Sequence, residues 1–482
     1  MSAPANRYQG DAEGSDAESL AAPPEVRHAD NGNGRTHAGR YERTPVRELP
    51  YGAKIITANA GDHPLVIQLL TQARQEQVIE DFQSRLDEPG YQPGNRLLVS
   101  RDKALLAHVH VASHIAWFDG QRMPVVKFED FAILPEYRAA AYGRDLLAAG
   151  EQIATAEGAV LGLVYADHPD WFEAQGWSPL RGQGHTRASA RAVLAHLDAQ
   201  ERARRRRRST IDVRTWRHFE LDLVRSVYDA AASESWGPLF RSEECWQWLI
   251  GRKAQDQVLL AVDQTKDEPA KAPASDSGLL LGVPSAAAGY AVVRGSCIIE
   301  MMTLAESASA RVPLLARASR DAIDRDHHSI SLYTPVSDPL HELMVTAGGA
   351  WISDRRDNGP RLMMRLLSPE RWVDRCYPLW RQRAQDANIP RPTEFGVVTP
   401  DAAYRFTLTR RSARLEPMGD RPADCIECDR PTFESLLVGN LALNEAIERR
   451  ALRLSTPELK PTLAALFAPR LFWQSPLEFM RL

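Results

Sequence analysis

Hydrophobic positions alternate with polar ones from Arg96 to Leu134, where LLVSRD, ALLAHVHVASHIAW and VVKFEDFAIL predict three strands, the last two joined at Asp119-Gly120. Upstream, KIITA (54–58) predicts a short strand. Asp62 reads as the N-cap of a helix with Pro64 just inside it and Leu65, Leu69 and Ala73 on one face. A second helix is expected over 75–86, stopped by Pro89-Gly90. Downstream, Pro135 ends the third strand and the period lengthens over 142–157, with Leu146, Leu147, Gly150 and Ile153 inward and Gly158 at the C-terminal end. AVLGLVYA (159–166) has the continuous apolar run of a buried strand, and Pro169 opens a short helix ending at Gly176. Strand, two helices, three antiparallel strands, helix, strand and helix make an α+β layer with one parallel crossover.

The same order recurs further on. IDVRTW, a helical stretch over 221–231, the strands VLLAVD, GYAVVRG and CIIEMMTL, a helix over 311–324 and the strand ISLYTP follow one another. YADHPDWFEAQGW (165–177) and YTPVSDPLHELMVTAGGAW (333–351) echo each other: a strand end, Asp and Pro, a short helix, then Gly and an aromatic. From about Ser368 a third α+β unit begins. Its strands are YRFTLTRR, SARLEP and ADCIECDR, and its helices FESLLVGNLALNEAIERRALRL and KPTLAALFA. The divisions are a disordered tail over 1–50, a first domain over 51–200, a linker over 201–210, a second domain over 211–367 and a third over 368–482. TKDEPAKAPASDSG (265–278) reads as a polar surface loop.

Length and charge narrow the function classes. The 482 residues carry 59 Lys+Arg against 63 Asp+Glu, a formal charge of −4, so the surface as a whole is not built for nucleic acid. The basic run ERARRRRR (201–208) has no interleaved aromatic to stack on bases and reads as a solvated connector. No run approaches the ~20 apolar residues of a membrane helix. Neither a secretory leader nor a cysteine framework stands out, with five cysteines in all, which points to the cytoplasm.

Candidate chemistry concentrates in FAILPEYRAAAYGRDLL (131–147), where a strand turns into a helix through small residues. Such a turn aims successive backbone N–H groups, backed by the helix dipole, into one concavity suited to pyrophosphate. On the strand leading there, Glu129 is a candidate base, with Lys127 on the same face as its ion-pair partner. His108, His110 and His114 share one face of a strand and are expected at the sheet surface. No metal site is expected. Cys425 and Cys428 lie three apart in a strand, on opposite faces, and make neither a redox nor a zinc pair.

Pro135, Arg138, Ala141, Gly143 and Leu146 resemble the P-x-x-R-x-x-G-x-G/A-x-x-L turn of the Gcn5-related N-acetyltransferases. WFEAQGW (171–177) resembles their F-Y-x-x-x-G-F element. Two such domains followed by a sterol-carrier-protein-like unit resemble the enhanced intracellular survival branch, as do ADCIECDRPTFESLLVGNLALNEAIERRALRL and the near-terminal LEF.

The resemblance implies an α+β fold of two tandem acyl-CoA N-acyltransferase domains plus the sterol-carrier-like domain. It further implies acetyl-CoA as co-substrate and transfer to a primary amine of polyamine, aminoglycoside or lysine type, in a homo-oligomer, a hexamer in that branch. Phe131, Ala132 and Ile133 would bond pantetheine and the thioester. Arg138, Ala139, Ala140, Ala141, Tyr142, Gly143 and Arg144 would form the pyrophosphate turn, with Asp167 and His168 beside the cofactor and His168 also a candidate for touching substrate. Ala141 stands where the pattern has glycine. Phe172 occupies the general-acid position, where the family has tyrosine, and cannot donate a proton. The branch's base is the terminal carboxylate, here on Leu482, three residues beyond LEF. The alternative is a catalytically lapsed protein that still binds CoA. The second domain lacks the small-residue turn and is expected to be structural.

Overall fold

Three sheets, two of them built on one plan, make up the computed structural model, which describes residues 45–74, 79–204, 210–252, 255–265, 287–353 and 359–479. The expected tail through residue 44, the arginines at 205–208, most of the loop 265–278 and Met480–Leu482 lie outside the described residues. The tail expectation is corrected at its end. Pro45–Glu48 is a strand (β1) paired antiparallel with β2 (Lys54–Thr57).

In the first repeat, α1 (His63–Arg74) and α2 (Ile79–Leu86) lead to β3 (Arg96–Arg101), β4 (Ala104–Phe118) and β5 (Gln121–Ile133). Asp62 is not the N-cap. Asn59 caps a 3-10 turn, accepting from the Gly61 N–H, and the Asp62 carboxylate accepts from the Asn59 N–H, so the helix entry is fixed one turn earlier. Then come α3 (Tyr142–Ala156), β6 (Leu161–Ala166), α4 (Pro169–Ala174), β7 (Ser178–Pro179), β8 (Gly184–Ser189) and α5 (Ala190–Arg204).

The second repeat holds β9 (Ile211–Thr215), α6 (Leu221–Ser233), β10 (Trp236–Leu239), α7 (Glu243–Gly251), β11 (Gln257–Asp263), β12 (Ala287–Arg294) and β13 (Cys297–Thr303). It continues through α8 (Arg311–Asp324), β14 (Ser329–Leu332), α9 (Pro339–Thr346), β15 (Ala350–Ser353) and β16 (Arg361–Leu366).

The repeats exchange strands. The first sheet runs β1-β2-β3-β4-β5-β6-β16-β7, and the second β15-β8-β14-β13-β12-β11-β9. Each sheet therefore takes the strand next to one end from the other repeat. β16 pairs along all of β6, from Arg361↔Ala166 to Leu366↔Leu161, and β8 lies between β14 and β15. Residues on β8 and α5 pack in the second core, where Ala188, Val193 and Leu197 join Leu314, Ala318 and Ile330. The boundary expected near 200 falls inside α5, and β16, which ends at Leu366 just before the one at 367, pairs in the first sheet. Local pattern assigns a strand its period but not its sheet.

The third unit adds α10 (Pro369–Arg375), α11 (Tyr377–Asp386), β17 (Thr393–Val398), β18 (Ala403–Leu408), β19 (Ala413–Met418), β20 (Cys425–Cys428), α12 (Arg430–Val438), α13 (Leu443–Glu448), β21 (Leu452–Leu454) and α14 (Leu459–Leu466). Its sheet order is β19-β18-β17-β20-β21, with β17 and β20 parallel. An aromatic junction joins it to both repeats. Phe118 of β4 packs edge-on against Trp236 of β10, centroids 4.9 Å apart, and against Trp372 of α10 at 5.0 Å. Cys425 and Cys428 are buried free thiols, and burial pushes Cys428 up to about 12, which leaves it inert.

A chain divided between residues 204 and 210 tests the exchange. Each half made alone lacks the exchanged strand of its own sheet, β16 or β8, and should show no cooperative thermal transition. The two halves made together should co-purify and melt as one.

Candidate active site

β5 and β6 run parallel and are bonded from Val125↔Leu161 to Phe128↔Val164, and then they part. The parting has a local cause on β5. Its register against β4 slips between the His108 and His110 pairs, and Asp130 takes a positive φ of 52°. A bulge of this kind bends and twists its strand away from its neighbour. The wedge it opens is a cavity of about 260 Å³ whose lining includes Phe131, Ala132 and Ile133 from β5 and Ala166, Asp167 and His168 from the end of β6. Beyond Phe128 the facing edges of the two strands are not paired with each other.

The turn after β5 delivers α3 to the mouth of this wedge. Asp145 is the first residue to close a helical bond, to the Ala141 carbonyl at 3.0 Å, so the N–H groups of Tyr142, Gly143 and Arg144 have no carbonyl one turn back. Ala141, the N-cap, supplies no side-chain acceptor. Ala139, Ala140, Ala141 and Arg144 are exposed, leaving the turn open to an anion, whereas Tyr142 is buried in the core. Ala141 has φ −68°, a conformation in which alanine costs nothing relative to glycine. Gly143 is different. A Cβ there would lie 2.5 Å from Ile133 Cδ1 and 3.2 Å from Trp171 Cζ2, so a side chain at 143 would have to push the Ile133 methyl along the cavity wall. Arg138 also lines the cavity, and its guanidinium donates to the Ala73 carbonyl at 3.1 Å, tying the turn to α1.

Phe172 lies where the sequence placed it, on the cavity wall but without a hydroxyl. It is 4% exposed and packs edge-on with Trp171 at 4.9 Å and Phe131 at 5.5 Å. His168 is the N-cap of α4 and lines the cavity, but its side chain caps no helix N–H. Leu482 lies outside the described residues. The residues just before it do reach the site. Phe479 is a cavity wall, its ring 5.6 Å from that of Tyr165.

Glu129 is buried in an ionic cluster. Lys127 Nζ is 2.8 Å away, Arg85 of α2 also pairs with it, and His110 Nδ1 stands at 3.4 Å. Burial alone would raise its carboxyl, but Arg85 and Lys127 prevail and hold it well below the usual carboxylate range. The expectation that the histidines lie at the sheet surface is corrected. His108 is fully buried, accepting at Nε2 from Arg96 (3.1 Å) and donating from Nδ1 to the Asp130 carbonyl (2.9 Å). His110 is also buried, because α1 and α2 cover that face of β4. Burial pushes all three rings down, His114 to about 3, so they stay neutral.

Several site residues carried no sequence signal. Arg85, Asp130 and Leu362 reach the cavity from α2, the β5 bulge and the exchanged strand β16. A second cluster fixes the tail. Arg241 grips Glu300 of β13 with two bonds of 3.0 and 2.6 Å and Glu478 with two of 3.0 and 2.8 Å, all buried. Tyr290 donates to Glu300 at 2.6 Å, and Lys127 Nζ donates to the Glu478 carbonyl at 3.0 Å. Glu300 faces Val292 of β12 as Glu129 faces His110 of β4, but the slip on β13 lies on the hairpin side of Glu300, whereas that on β5 lies on the helix side of Glu129. In the second repeat Trp473 and Leu477 pack against Leu260, Tyr290 and Ile299, so the tail fills the ground that is open in the first.

Calorimetry should therefore find one CoA site per chain, lost in Gly143→Asp, whose carboxylate repels phosphate and whose Cβ displaces Ile133, and weakened in Gly143→Ala. Arg241→Met leaves Glu300 and Glu478 buried without their cation and should cost about 3–5 kcal/mol in denaturant unfolding.

No protein-family model matches the sequence, and no curated protein matches it significantly. Solved structures do match the fold. The GCN5-related N-acetyltransferase from Anabaena variabilis ATCC 29413 superposes with a TM-score of 0.65 at 13% identity, over 88% of this chain and 99% of that one. A probable N-acyltransferase from Enterococcus faecalis V583 gives 0.65 at 12%, over 88% and 99%. Eis1 from Mycobacterium abscessus gives 0.58 at 14%, over 87% and 98%. With its wedge between two parting parallel strands and its doubled sheet plan, this chain has the fold of the GCN5-related N-acetyltransferases.

Proposed function

We propose that the first repeat transfers an acetyl group from acetyl-CoA to a primary amine. The observation that carries this reading is the open wedge between β5 and β6 set against the uncapped start of α3. Extended pantetheine fits between strand edges that offer it backbone hydrogen bonds, and the pyrophosphate fits the free N–H groups of Tyr142, Gly143 and Arg144.

In the step, the amine lone pair attacks the thioester carbonyl carbon. A C–N bond forms, the C–S bond breaks, and its electron pair leaves with sulfur. The nitrogen gives up one proton and the thiolate takes one, so the products are an amide and free CoA. Backbone N–H groups of residues 131–133 stabilise the carbonyl oxygen as it gains charge. A thioester has a good leaving group, so positioning the amine supplies much of the acceleration.

Proton transfer falls to groups other than Phe172. Tyr165 brings a phenol to the cavity wall and is assigned the thiolate's proton. Glu129 gives little driving force as a base, because its charge is already shared by Arg85 and Lys127. That leaves His168 and the Leu482 carboxylate for the amine's proton. The second reading, a CoA-binding protein without efficient transfer, is favoured by the missing hydroxyl at Phe172.

The test is free thiol released from acetyl-CoA against a panel of primary amines. Wild type should release thiol slowly, Phe172→Tyr faster, and Tyr165→Phe about 10²-fold more slowly than wild type. CoA binding without thiol release from wild type or Phe172→Tyr, whatever the amine, establishes the second reading.

A further inference from the structure

One end of the cavity has cationic donors to spare and carboxylates already spoken for. Arg85, 7% exposed, lines it with a guanidinium carrying five N–H donors. It pairs with Glu129, while Asp130 lies 3.6 Å from its Nε, too far for a hydrogen bond, and that Nε has no hydrogen-bond partner. Lys127 has three donors and two hydrogen-bond acceptors, the Glu129 carboxylate and the Glu478 carbonyl. Asp130 is also held by Arg96 at 3.3 Å.

Arg85 and Lys127 on the cavity wall, with the fully buried Arg96 that does not line it, share Glu129 and Asp130, and the histidines behind them are neutral. Glu88 faces the same cluster, 3.9 Å from His114, and burial, with Glu129 close by, pushes its carboxyl up to about 7, so it is only partly ionised near neutral pH. A buried guanidinium with unspent donors is costly, and its planar fork matches a carboxylate. A polycationic amine would find no spare carboxylate at this end and would add charge in a low-dielectric site.

We propose that the acyl acceptor is a small primary amine bearing a carboxylate, which docks on the Arg85 guanidinium and the Lys127 ammonium. Its amine then reaches the thioester beside residues 131–133, and its apolar middle lies against Tyr165, Leu362 and Phe479. The proposal rests on the acetyl-transfer reading above and names the substrate class of that site. Arg85 and Lys127 are its specificity-determining residues.

The experiment compares matched probes, 4-aminobutyrate with butylamine and β-alanine with ethylamine, and adds spermidine as a polycation. Thiol release should favour each carboxylated amine over its partner by at least tenfold in kcat/KM. Lys127→Gln should raise KM for 4-aminobutyrate about tenfold or more, a loss at least tenfold larger than that for butylamine. Arg85→Lys keeps the charge beside Glu129 but loses the fork, and should show the same selective loss with less risk to folding. Equal losses for both members of a pair, or preference for spermidine or butylamine, overturn the proposal. Calorimetry of 4-aminobutyrate against the CoA-saturated protein reads the site without the chemistry. Binding that Arg85→Lys weakens upholds the site even where no thiol is released, which would sink only the transfer reading, and absence of binding overturns the proposal.

Discussion

A parallel strand pair can share hydrogen bonds only while its strands stay about 4.8 Å apart, and the bulge at Asp130 ends that condition for β5 and β6. Past Phe128 the two strands no longer bond each other, and their backbone groups need other partners or solvent. The cavity, the approach of α3 through Gly143 and the position of Phe172 all follow from that parting. Closing the wedge would remove the site and leave most of the core intact.

The second repeat shows what happens when the same plan is used for packing. Its β13 carries a glutamate in the place of Glu129, but Glu300 is bound by Arg241 and Tyr290 and, through Arg241, to the tail. Trp473 and Leu477 occupy the adjoining ground. The tail then crosses to the first repeat, where Lys127 takes the Glu478 carbonyl and Phe479 becomes a cavity wall. One cluster is closed by the chain itself, and the other keeps its Arg85 and Lys127 donors toward open space. The tail thus ties the second repeat to the cavity of the first, and the exchange of β8 and β16 fixes the two sheets to each other.

Much of the local structure was legible in the residues. Period-two alternation placed β3 and β4 within a residue or two and β5 four residues short at its start, and the small-residue turn before α3 marked an uncapped helix start. The cavity gathers Phe131, Ala132, Ile133, Arg138, Asp167, His168, Phe172 and Glu129, all named from sequence. Legibility failed where a residue's role depends on what lies across from it. Spacing put the three histidines on one face of β4, but the cover supplied by α1 and α2 made that face interior.

The sequence by itself determined periods, turns and helix starts, because each depends on residues within a few positions of one another. It determined too that position 172, on what becomes the cavity wall, carries a ring without a hydroxyl. Only the tertiary structure decided which sheet receives β8 and which receives β16, since the alternation of β8 and the apolar run of β16 give each strand a face but not the edges it meets. It also decided that Arg85, Lys127 and Phe479 stand at one cavity. These come from a helix, a strand and the tail, and what brings them together is contact between surfaces distant in the chain, the Arg85–Glu129 ion pair and the Lys127–Glu478 bond included.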